Sequence, residues 1–116
     1  MADLAALANA YLAGFKAGDH QAILACLTDD VVWDLPGYRR LEGKVAFDGE
    51  IESEGFVGRP DLHLDRMIEG QDSVVLIGTG EGGLSAGGSF RFAFCTVLTF
   101  RADLISRVDS YIVPLT

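Results

Sequence analysis

The sequence predicts an α+β domain in which helices come first and a mostly antiparallel sheet follows. Three observations carry this reading. Apolar residues recur at helical spacing near the start, β-forming segments alternate with period two from about residue 62 onward, and the 116-residue chain has room for one core. A chain of this length buries about two-thirds of its unfolded surface, so one core is enough for stability and the whole chain reads as a single domain. Hydrophobic residues make up 49% and charged residues 22%, an ordinary globular balance that predicts order from end to end.

Leu4, Leu7, Ala8, Tyr11, Leu12 and Phe15 fall on one face of a first helix, and Gly18 follows where a left-handed residue can end it. Asp19 can cap a second helix by accepting a bond from a free backbone amide, with Ile23, Leu24 and Leu27 on its buried side. Val31 to Leu35 are β-formers that run into Pro36 and Gly37, which predicts a short strand and a turn. From Lys44 to about Gly55, Phe47 and Ile51 stand four apart among acidic residues, as on a third helix covering something apolar.

Four strands are predicted after that: Leu62 to Ile68, Val74 to Thr79, Phe90 to Phe100 and Leu104 to Val113. Gly80 to Gly88 reads as a hairpin loop, because it lacks the strand, turn and helix order of a phosphate cradle. Phe90, Phe92, Phe94, Thr96, Leu98 and Phe100 share one face of the third of these strands, and Arg91, Cys95 and Thr99 share the other. So many rings on one side call for a thick apolar layer opposite, which the opening helices can supply.

Nine Lys and Arg against 17 Asp and Glu give a net charge of −8, which repels nucleic acid and anionic lipid. Arg39 and Arg40 are the only adjoining cations. No apolar run is long enough to span a membrane, and the first residues lack a basic start followed by an apolar stretch, so a cytoplasmic location is expected. Cys26 and Cys95 are isolated thiols that read as packing residues. No His and carboxylate group has ligand spacing, so neither a metal nor a cofactor is expected.

Several short motifs, in order, resemble the SnoaL-like branch of the nuclear transport factor 2-like superfamily. They are Tyr11 in the first helix, Gly18-Asp19 between helices, Asp29-Asp30 before the first strand, Val31-Val32-Trp33-Asp34-Leu35-Pro36-Gly37, Gly43 at the third helix, and Glu69-Gly70 before a Val-rich strand. The resemblance implies a cone-shaped, strongly curved sheet whose concave face is closed by three helices to form an apolar pocket. It also implies a homodimer through the outer sheet face. The superfamily includes polyketide cyclases, ketosteroid isomerases, epoxide hydrolases and non-catalytic domains, so fold alone does not assign a reaction.

Carried over residue by residue, the resemblance puts the isomerase tyrosine on Tyr11, the base on Leu35 and the second acid on Thr96. A hydrocarbon cannot take a proton, which excludes the usual isomerase chemistry. Epoxide hydrolysis in this fold uses two carboxylates joined by an arginine. Asp65 with Arg66 and Arg107 with Asp109 are the nearest material, but the first two are adjacent and point apart, and the second two share a face read as outward. A cyclase needs one proton acceptor, and His63 is the candidate because its pKa lies near neutrality. If Leu62 and Leu64 face inward instead, His63 is a solvated side chain. Tyr11 and His63 are thus the catalytic candidates, and Phe15, Trp33, Leu35, Phe92, Phe94, Thr96 and Ile112 the pocket candidates. The expected partner is a small hydrophobic molecule bearing a few oxygens, either converted by acid–base chemistry without a cofactor or only bound by a non-catalytic dimer.

Overall fold

In the computed structural model, which describes residues 3–51, 56–84 and 87–115, the chain runs α1 (Leu4–Ala17), α2 (His20–Ala25), β1 (Leu27–Leu35), β2 (Arg39–Glu42), α3 (Lys44–Ile51), β3 (Phe56–Glu69), β4 (Ser73–Leu84), β5 (Ser89–Arg101) and β6 (Leu104–Pro114). The strands form one curved, unclosed sheet in the order β2-β1-β6-β5-β4-β3. Neighbours are antiparallel except β1 and β6, which run parallel. The predicted α+β architecture, with helices leading and a sheet following, is the one observed.

Local chemistry sets the helix ends. The Asp3 carboxylate accepts from the Ala6 amide, and Asp19 accepts from Ala22 at 3.1 Å, so each helix has one of its free N–H groups satisfied. Gly18 adopts φ 65° and closes α1 with its amide turned back to Gly14 and Phe15. The second helix stops earlier than expected: Leu27, read as its buried side, is the first residue of β1. The last part of the third predicted helix, beyond Ile51, lies outside the described residues.

Two differences in the sheet are instructive. Arg39–Glu42, for which the sequence predicts no strand, is a short edge strand paired with Val32–Leu35, and its charged residues leave a poor template for a further strand. The predicted break at Gly80 is also absent. β4 continues to Leu84, with Gly80 opposite Phe92 and Gly82 opposite Phe90. A Cβ on Gly80 would lie 2.4 Å from Phe92 Cζ, so the bare glycine leaves the space that the ring occupies.

Alternation divides the sheet cleanly. Val31, Trp33 and Leu35 on β1, Val74 and Leu76 on β4, Phe94, Leu98 and Phe100 on β5, and Ile105 and Val108 on β6 are buried on the concave side. Helix α1 lies over β3 and β4, and α3 lies over β1. From the end of β5, Arg101 reaches past β6 to clasp Asp30 of β1, with Nη2 to Oδ1 at 2.7 Å. That guanidinium holds the Asp30 carboxyl down at about 2, below the usual carboxylate range. A lowered folded-state pKa adds stability above the unfolded value near 4 and loses it as pH falls through about 2. Asp30→Asn is therefore expected to flatten the stability profile between pH 4 and 2, measured by denaturant unfolding. A slope in that window equal to wild type would refute the assignment.

Candidate ligand site on the concave face

Four rings from three elements meet under the helices. Tyr11 and Phe15 come from α1 with centroids 5.0 Å apart, Trp33 from β1, and Phe47 from α3. Phe47 stacks on Trp33 at 4.3 Å and 28°, and Phe15 meets Trp33 edge-on at 6.1 Å. Tyr11 and Phe15 each sit 6.5 Å from Phe47. Edge-on and offset arrangements of this kind use the quadrupoles of the rings and hold them at fixed angles.

A second apolar group lies along β5. Phe90, Phe92 and Phe94 follow one another at 5.7 and 6.4 Å, with Ile112 of β6 in register with Phe94. Between the two groups is a polar step. Thr96 of β5 pairs in register with Ser110 of β6, and Trp33 Nε1 donates to Ser110 Oγ at 3.0 Å. Ser110 is 7% exposed and Trp33 8% exposed, so this bond forms away from bulk water. Burial pushes the Tyr11 phenol, 4% exposed, well above its ordinary pKa, with the nearby Cys26 thiol adding to the shift. Tyr11 is therefore a neutral hydroxyl at any physiological pH.

The structure brings together Tyr11, Phe15, Trp33, Leu35, Phe92, Phe94, Thr96 and Ile112 on the concave side. His63, the candidate proton acceptor, is not among them: of the two orientations open to it in the sequence, it takes the outward one. Leu62 and Leu64 pack on the core, so alternation turns His63 outward; its side chain is 78% exposed and pairs with Asp65 at 3.2 Å. Two residues of the site were not read from sequence as ligand-facing. Phe47 was placed on its helix but not in the site, and Ser110 was not singled out. The signal for Ser110 was present, since it interrupts the otherwise apolar set Val108, Ser110, Ile112 at period two.

Arg107 bridges two carboxylates, Asp109 and Asp34, and all three residues stand on the other face. Arg107 Nε donates to both Asp109 oxygens at 3.0 and 3.1 Å, and its Nη2 reaches Asp34 Oδ2 at 3.2 Å. Each of these residues alternates with a buried neighbour on the concave side, so the thickness of the sheet separates them from Trp33 and Ser110. They act as a cross-strand brace between β1 and β6. Among the described residues, no group of three His, Cys, Asp or Glu side chains could hold a metal ion, and no helix is long and apolar enough to cross a membrane.

The concave face thus sets aromatic rings beside the neutral hydroxyls of Tyr11, Thr96 and Ser110. Leu35, onto which the family resemblance carries the isomerase base, is buried hydrocarbon on that face.

Residues 8–108 match the model of the SnoaL-like domain. No curated protein matches the chain significantly. Among solved structures, it resembles TerC, crystallised with polyporic acid, at 25% identity and TM-score 0.79, over 90% of this chain and 86% of the other. It also resembles a protein of Xanthomonas campestris pv. campestris provisionally named a polyketide cyclase, at 23% identity and TM-score 0.83, over 92% and 87%. An LEH-like epoxide hydrolase of M. tuberculosis aligns at 17% identity and TM-score 0.78, over 91% and 79%.

Proposed function

The chain belongs to the SnoaL-like domain family, and on that premise we propose that it binds a neutral, hydrophobic, oxygen-bearing small molecule against the concave face of its sheet. One observation carries this reading: the face joins an aromatic cluster to neutral hydroxyls, with His63 and the bridged carboxylates turned to the opposite side. Tyr11, Thr96 and Ser110 can donate to a ligand oxygen, and Trp33, Phe15 and Phe92 supply apolar walls.

The same arrangement bears on chemistry. Proton abstraction from carbon needs an acceptor within reach of the reacting atom, and Leu35 stands where the family base would be. Hydroxyl donors can still polarise a carbonyl, so a conversion in which the substrate needs no protein base fits the site. A binding role without turnover fits it equally, and both begin with the same complex.

A native-state ligand raises apparent stability by about 2.7 kcal/mol at a hundred times its dissociation constant. A thermal-shift series of polycyclic ketones, quinones, lactones and epoxides is therefore expected to raise the melting temperature by several degrees for at least one ketone or quinone. If no compound in the series moves the curve, the binding reading is wrong.

The second copy implied by the family would meet the convex face. There Val75, Ile77, Ala93, Cys95 and Val97 form an apolar centre, with Tyr111 and Val113 half exposed beside it. The wild type is expected to sediment as a dimer and Ile77→Lys as a monomer. A monomeric wild type would rule this interface out.

A further inference from the structure

We propose that Ser110 is the anchor for the ligand oxygen, and that the pair Ser110 and Thr96 selects a neutral carbonyl over both the matching hydrocarbon and a carboxylate. This rests on the reading that the concave face takes a small molecule, and it adds which atom recognises what.

An indole N–H only donates. In the bond from Trp33 Nε1, the Ser110 oxygen is therefore the acceptor, and its own hydrogen points elsewhere. Among the described residues that hydroxyl has no acceptor, and the Thr96 hydroxyl across the strand pair has no partner either. A buried donor left without an acceptor is unfavourable, so the site is incomplete as it stands. The bond received from Trp33 also polarises the serine oxygen and strengthens what it can donate onward.

Register makes the two hydroxyls neighbours. Side chains directly opposite on antiparallel strands have Cβ atoms about 4.5–5.5 Å apart, close enough for two O–H groups to meet the two lone pairs of one carbonyl oxygen. Phe94 and Ile112 flank the pair on one side, Leu98 and Val108 on the other. This places the oxygen of a ligand at the polar step and its carbon skeleton along the rings.

The charge of the ligand follows from what surrounds the step. Thr28 and Ser110 are the buried polar side chains among the described residues, and no cation is buried with them. Arg107, the nearest cation in the strand, is held by Asp109 and Asp34 on the convex face. A carboxylate brought to Ser110 would lose its water with no cation to replace it, in a protein of net charge −8.

The test compares three probes that share a bicyclic skeleton: tetralin, its ketone tetralone, and a tetralin carboxylate. Trp33 is the only tryptophan, so its emission reports the bond to Ser110 directly, alongside calorimetric titration. Without a donor, an apolar face favours the hydrocarbon, because burying an unpaired carbonyl is unfavourable. We expect the wild type to bind tetralone about five- to ten-fold more tightly than tetralin and to reject the carboxylate. Ser110→Ala is expected to abolish that preference, bringing the affinities for tetralone and tetralin level, and Ser110→Thr to keep it. Ser110→Cys, nearly the same size but a weak donor, gives the same loss if the alanine variant does not fold. A preference for tetralone that survives in both Ser110→Ala and Ser110→Cys overturns the anchor assignment. Equal wild-type affinity for tetralone and tetralin overturns it too, but leaves the binding reading standing. If no probe binds the wild type, both fall together.

Discussion

Replacing Gly78 with alanine is expected to destabilise the domain by about 3 kcal/mol, at the upper end of what one added methyl does in a packed site. The reason is geometric. A Cβ at Gly78 would lie 2.1 Å from the backbone oxygen of His63 and 2.8 Å from Phe94 Cζ. The ring could turn, but the oxygen belongs to the ladder in which Leu64 pairs with Gly78, just before the register of β3 shifts at Asp65. Moving that carbonyl means unpicking the β3–β4 contact at the bulge. Alanine recovers about 0.5–1 kcal/mol through a less flexible unfolded chain, which offsets only part of the clash. For a domain of this size the net loss lowers the melting temperature by roughly 10–15 °C. Gly80→Ala provides the contrast, because there the close atoms are the tips of the Phe92 and Leu62 side chains, which can shift. A Gly78→Ala variant no less stable than Gly80→Ala would show that the close approach of β3 to β4 is not what the glycine serves.

These glycines also explain where sequence reasoning stopped short. A cluster of glycines normally marks a loop, and on that rule Gly80 ended a strand. The strand continues because the residues across from Gly78 and Gly80 are Phe94 and Phe92, whose rings occupy the room that a side chain would have taken. That compensation lies between strands, so nothing local in β4 reveals it. The faces of β5 and β6 were legible for the opposite reason, since period-two alternation is local and one buried face fixes it. His63 illustrates the limit of that rule. Alternation put it opposite Leu62 and Leu64, but which set faced inward depended on the helix packed above, and α1 chose the leucines.

The site divides in the same way. Tyr11, Phe15 and Trp33 stand out in sequence as large rings on predicted inner faces, and the structure gathers them. Ser110 shows in sequence only as a polar break in the inner face of β6; its role comes from the parallel pairing of β6 with β1, which brings its hydroxyl to the Trp33 indole from 77 residues away. A parallel pairing between the first and last strands cannot be read from a meander of hairpin signals, because no turn connects the partners. The structural contact that gives Ser110 its meaning is thus the one with the least local signature.

Phe47→Ala tests how firmly the roof of the site is held, and the expected loss is about 3–5 kcal/mol in denaturant unfolding. Phe47 is 1% exposed, and α3 has no other fully buried ring to replace it. It stacks on Trp33 and touches Tyr11 and Phe15, so its removal leaves all three facing a void. Part of the loss is transfer energy and part is the cavity that the neighbours fail to fill. An apolar cavity of that kind stays dry and takes up a small aromatic molecule, so benzene is expected to restore part of the lost stability in Phe47→Ala and none in wild type. Trp33 emission should shift at the same time, because the stacked ring is its closest neighbour on that side. A loss below about 1 kcal/mol would mean that Trp33 and Phe15 close the gap by themselves. In that event α3 would cover the sheet without shaping the surface that a ligand meets.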